Sequence, residues 1–70
     1  MKQMKLTING ELLEIPDTVE TVSGLLEYFQ LDKKMVIVER NADILEKSEH
    51  TGTQISDGDK IELVHFVGGG

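Results

Sequence analysis

The chain has 70 residues and a formal net charge of -6, enough for one domain near the lower size limit, with little chain to spare for an enclosed active-site cleft. Its acidic residues are spread along the sequence, which opposes binding to nucleic-acid phosphates or anionic membrane surfaces and favours a partner with a basic or mixed face. Cysteine is absent, and that excludes disulfides, thiolate metal sites, cysteine nucleophiles and side-chain persulfides together.

From the N-terminus, "MKLTINGELLEI" places Met4, Leu6 and Ile8 at alternate positions, then Asn9-Gly10, then Leu12, Leu13 and Ile15. Asn-Gly between two such runs predicts a β-hairpin, because both residues accept the positive φ of a type I′ turn. Pro16-Asp17 closes the second strand, proline having no N–H to give to a ladder. In "TVSGLLEYFQL" the period changes: Val22, Leu25, Leu26 and Phe29 form one apolar stripe of an amphipathic helix. Thr21 is its expected N-cap, and Gly24 weakens it by about 1 kcal/mol relative to alanine. Such a helix depends on docking against a sheet.

Beyond "DKK", the apolar run "MVIV" has the pattern of a central strand buried on both faces. "ERNADIL" reads as a turn leading to a brief strand at Ile44-Leu45. Residues 46–55 are too polar and irregular for more than a loop or a short helical turn. Asp57-Gly58-Asp59 is a tight turn, and "KIELVHFV" is the last strand, with Ile61 and Leu63 on one face and Glu62, Val64 and Phe66 on the other. The order strand, strand, helix, strand, short strand, strand gives an α+β domain with one helix across a mixed sheet. Residues 1–67 form that domain, and residues 68–70 form a flexible glycine tail.

Few residues offer site chemistry. His50 and His65 belong to no metal-ligand spacing, and no carboxylate or serine is placed to form a relay with His65, which is assigned to strand packing or a hydrogen bond. Val64 and Phe66 share the face turned from the helix and form a candidate contact patch; the alternative is that Phe66 folds over the sheet edge and seals it. No apolar run approaches the roughly 18 residues of a membrane span, and the N-terminus lacks the apolar region of a secretory signal, so a cytoplasmic location is expected.

The ending "HFVGGG" is the most informative stretch. Residues without Cβ atoms make a thin, extensible arm that ends in a bare carboxylate. A carboxylate is a poor electrophile, but linked to AMP it becomes a mixed anhydride that a sulfur or amine nucleophile can attack, and glycine leaves that acyl carbon unshielded.

"KLTING", "TVSGLLEYF", "VIVERN" and above all "DGDKIELVHFVGGG" together resemble the β-grasp, ubiquitin-like sulfur carriers, most closely those serving thiamin thiazole formation. The resemblance implies a β-grasp fold for the α+β domain and the following chemistry. An E1-like adenylyltransferase uses ATP to activate Gly70, sulfur from a cysteine desulfurase leaves a thiocarboxylate there, and thiazole synthase takes that sulfur. It also implies that Gly68 and Gly69 thread into partners and that Phe66 and Val67 lie in the docking region beside Val64. The chain is then a substrate of other enzymes, monomeric when free, with no permanently bound cofactor. Gly68 departs from the family, where alanine is often found. The nearest alternative is the small subunit of molybdopterin synthase, whose members often carry prolines before the terminal glycines. A ubiquitin-like protein modifier and a β-grasp interaction module with an idle tail are the others.

Overall fold

The computed structural model describes residues 3–65, and of His65 the backbone alone. The elements are β1 (Gln3–Ile8), β2 (Glu11–Pro16), α1 (Val22–Tyr28), β3 (Val36–Arg40), β4 (Asp43–Leu45), a 3₁₀ turn at Lys47–Glu49 and β5 (Lys60–His65). The strands form one sheet in the order β2-β1-β5-β3-β4. Neighbours are antiparallel except for β1 and β5, which run parallel.

Both hairpins close through two-residue turns. Ile8 pairs with Glu11 around Asn9 (φ 51°) and Gly10 (φ 84°), the left-handed pair that a type I′ turn requires. Arg40 pairs with Asp43 around Asn41 (φ 51°) and Ala42 (φ 73°). The same turn is thus made with alanine where glycine is the easier residue.

Helix α1 has only 7 residues, too few to persist in isolation. Its ends are therefore fully tied. Val22 N–H donates to Thr53 O (3.0 Å), Ser23 N–H to His50 O (2.9 Å) and Gly24 N–H to Thr21 Oγ1 (3.1 Å), so the unpaired donors of the first turn all find acceptors. At the other end Gln30, at φ 61°, donates to Glu27 O, and Leu31 N–H donates to Leu26 O. That is a Schellman cap, with Leu31 folding back onto the core. Residues 46–55, for which the sequence shows no pattern, thus supply two of the helix's N-terminal acceptors from a 3₁₀ turn and the segment after it.

Leu6, Ile15, Val22, Leu25, Val38 and Ile61 are fully buried between α1 and one face of the sheet. The β3 run corrects an expectation here. Val38 is wholly covered, but Ile37 is 42% exposed, and Met35, 75% exposed, precedes the strand. One helix covers one face, so a continuous apolar run does not imply burial on both sides. β3 lies inside the sheet, but its middle strand is β5.

The Asp57-Gly58-Asp59 turn starts β5 and fastens it to β1. Asp57 Oδ1 accepts from Lys5 N–H (2.6 Å), Gly58 N–H, at φ 90°, donates to Lys5 O (2.7 Å), and Asp59 O accepts from Thr7 N–H (3.0 Å). The Asp59 carboxylate is buried and accepts from Ser56 N–H (2.8 Å), Arg40 Nε (2.9 Å) and Asn41 Nδ2 (3.2 Å). Burial pushes its pKa up. The hydrogen bonds from Ser56, Asn41 and Arg40, with the Arg40 charge, outweigh that and hold it below the usual carboxylate value.

Candidate functional site

The route by which β5 carries the chain towards its C-terminus is the candidate site. On one flank β5 pairs with β3 from Arg40↔Ile61 to Val36↔His65. On the other, its register with β1 covers only Thr7↔Lys60 and Ile8↔Ile61, because β1 then turns away into its hairpin. Asn9 continues the pairing without a strand: its N–H donates to Ile61 O (3.0 Å), its Oδ1 accepts from Leu63 N–H (2.8 Å), and its Nδ2 donates to Leu63 O (3.2 Å). One carboxamide thus occupies the place of a peptide unit.

Alternation along β5 sets the outer face. Ile61 and Leu63 point into the core, whereas Val64 is 54% exposed and stands directly opposite Ile37. Beside that apolar pair, Glu39 and Glu62 are also cross-strand partners, and Ile44, 68% exposed, neighbours Glu39 from β4. Two like charges placed opposite each other on adjacent strands repel. Ile37 and Val64 therefore form a small apolar area bordered by acidic groups.

Of the residues singled out from sequence, the structure places Val64 on this open face. Phe66, Val67, Gly68, Gly69 and Gly70 lie outside the described residues. Ile37, Met35 and Ile44 escaped the sequence reading. Applied to "MVIV", the same alternation that turned Val64 outwards would have found Ile37. Asn9 was read as a turn residue alone. Hollows of about 170 Å³, beside Glu39, Asn41, Ala42, Lys60 and Glu62, and about 270 Å³, near Met4, Val19 and Ile55, open on the surface. Each is smaller than the roughly 300 Å³ at which small-molecule clefts begin. Among the described residues, no three of His, Cys, Asp and Glu converge as a metal site requires.

A five-stranded mixed sheet grasping one helix, with its middle strand leading to the C-terminus, defines a β-grasp domain of the ubiquitin-like kind. A crystal structure of a thiamine biosynthesis protein (ThiS) from Geobacter metallireducens superposes with a TM-score of 0.80 at 33% identity, over 96% of this chain and 100% of that one. The sequence model of the ThiS family matches residues 6–70, and the chain belongs to that family. The sulfur carrier protein ThiS of Bacillus subtilis (strain 168) is 43% identical over 65 residues, which is 93% of this chain and 98% of that protein. A thiazole synthase of Paramagnetospirillum magneticum is 45% identical over 67 residues, 96% of this chain but 20% of that protein's length.

Proposed function

We propose that this protein is the sulfur carrier of thiamin thiazole formation and that its reactive group is the Gly70 carboxylate. An oxygen of that carboxylate attacks the α-phosphorus of ATP within an E1-like adenylyltransferase, and pyrophosphate leaves. A persulfide sulfur, supplied through a cysteine desulfurase, then attacks the acyl carbon and AMP leaves; a thiol reduces the resulting acyl disulfide, forming a new disulfide with the donor sulfur and leaving the thiocarboxylate on Gly70. Thiazole synthase takes that sulfur. The observation carrying this reading is the family match that runs to residue 70 and so includes the terminal glycines.

The partner assignment has its own support. Two thiazole synthases, from Paramagnetospirillum magneticum and Magnetococcus marinus, contain a segment like this whole chain within about a fifth of their length. Joining a carrier to its acceptor in one polypeptide raises their effective concentration. Val64, with Ile37 beside it, offers the partner an apolar contact that Phe66 and Val67 extend, while Gly68 and Gly69 pass through a slot too narrow for side chains. The acidic border fits a partner with basic groups around an apolar centre. The protein acts in the cytoplasm as a substrate rather than a catalyst, is monomeric between encounters, and holds no permanent cofactor. ATP belongs to the activating enzyme.

Intact mass measurement after incubation with ATP, a sulfur source and the cognate activating enzyme should show a single oxygen-for-sulfur exchange, absent when Gly69 and Gly70 are deleted. Covalent adducts on other proteins would indicate a modifier instead. Gly69→Val should abolish activation while leaving the melting curve unchanged; normal activation of that variant would count against threading.

A further inference from the structure

Leu63 is the last residue of β5 gripped on the β1 flank among the described residues, and the group that grips it is the Asn9 side chain. Successive main-chain groups of a strand point to opposite flanks. Ile61 O and both main-chain groups of Leu63 meet Asn9 on the β1 flank, whereas Glu62 and Val64 direct their N–H and C=O groups towards β3. His65 has the parity of Leu63, and its main-chain groups therefore face the side from which β1 has departed. From Leu63 onward the strand has a neighbouring strand on one flank alone.

We propose that Asn9 is a positioning residue for activation: its carboxamide fixes the root of the C-terminal arm, so that Gly70 reaches the activating enzyme from a set direction. The inference rests on the carrier reading above. From Leu63 the remaining chain can extend by about 23 Å, and a fixed root limits the space its tip must search before the carboxylate meets the activating enzyme. Holding Leu63 in the free protein removes a part of the ordering cost that binding would otherwise bear.

The turn geometry supplies a clean variant. Glycine accepts the φ of 51° found at Asn9, so Asn9→Gly removes the carboxamide without straining the hairpin. Asn41 provides the control. It has the same φ in the other hairpin, and its carboxamide grips β5 at its first residue, its Oδ1 accepting from Lys60 N–H at 2.9 Å.

The test uses the full chain with its cognate activating enzyme and ATP, following pyrophosphate release as the carrier concentration is varied, at a temperature where circular dichroism shows every variant folded. Asn9→Gly should raise the KM for the carrier about tenfold, the effect of losing two hydrogen bonds of ordinary strength, with kcat unchanged within about twofold. Amide exchange at Leu63 should accelerate by a similar factor. Asn9→Asp, which keeps the acceptor for Leu63 N–H and loses the donor, should fall between, and Asn41→Gly should keep the wild-type KM. Faster Leu63 exchange with an unchanged KM would overturn the inference, as would unchanged exchange in Asn9→Gly or an equal rise in KM for Asn41→Gly. A wild-type chain that is never adenylated would defeat the carrier reading and this inference with it, whereas an active wild type matched by Asn9→Gly defeats this inference alone.

Discussion

β5 is held at two points by the same device used to different depths. At its start, Asn41 sits in a type I′ turn and bonds Lys60, but it also bonds Asp59, whose carboxylate holds Arg40 and the Ser56 amide as well. Further along, Asn9 sits in a type I′ turn and bonds Leu63, and among the described residues no other side chain supports that bond. The start of the strand is a cross-linked polar knot, whereas Leu63 is held on the β1 flank by a single clasp. The difference teaches where this domain concentrates rigidity: the strand is fixed firmly at its origin and, on the β1 flank, lightly at Leu63.

The strongest way to break this comparison is to empty the knot. Asp59→Ala leaves the Ser56 N–H and the Asn41 amide without their acceptor and frees Arg40 from its ion pair. Losing charge-assisted, part-buried hydrogen bonds should cost about 2–3 kcal/mol, after discounting for a partly exposed Arg40. In a domain of this size that corresponds to roughly 10–20 °C in melting temperature. A fall of under about 4 °C, that is below about 1 kcal/mol, would show that the start of β5 is no more firmly built than the clasp at Leu63.

Acid should loosen the knot without a mutation. Asp59 has a folded pKa below its unfolded value, so the stability it contributes is present above about pH 4, the unfolded carboxylate value, and disappears as pH falls through the lower folded pKa. The wild type should therefore exceed Asp59→Asn in urea midpoint near neutrality, and the gap should shrink steadily below about pH 4. Asn9 carries no ionisable group, so the advantage of wild type over Asn9→Gly should stay constant over the same range. A gap between wild type and Asp59→Asn that widened on acidification would refute the assignment.

How much of this arrangement can be read from sequence depends on the range of the interaction. Asn9-Gly10 announces its turn because the conformational need is local, and the stripe from Val22 to Phe29 and the Thr21 cap are legible for the same reason. Val64's outward direction follows from counting along one strand. The bond from Asn9 to Leu63 joins residues far apart in the chain, and nothing in "ING" says where a carboxamide points once the turn has formed. Residues 46–55 show no periodicity because much of their structural work is done by main-chain carbonyls at His50 and Thr53, which any sequence possesses, and Ile55 is the one apolar side chain they give to the core. "MVIV" misleads because Ile37 is apolar on a face the fold leaves open. The turn in "ERNADIL" is legible, but its type is not, because alanine stands at a left-handed position.

That last mismatch gives the smallest and most symmetrical prediction. Gly10 and Ala42 occupy the second position of equivalent turns, at φ 84° and 73°. A Cβ at Gly10 would meet nothing within 4 Å, so the effect of Gly10→Ala is backbone strain, offset in part by the lower freedom of alanine in the unfolded chain. It should destabilise by about 0.5–1 kcal/mol, and Ala42→Gly should stabilise by about the same amount through relief of the same strain. The double variant should then melt within about 2 °C of wild type, since the two turns lie on opposite flanks of β5 and share no hydrogen-bond partner. A gain from Ala42→Gly much smaller than the loss from Gly10→Ala would mean that the Asp59 knot, through Asn41, already holds the second turn in place, and that the firm end of β5 tolerates a poor turn residue because its neighbours leave the chain no alternative.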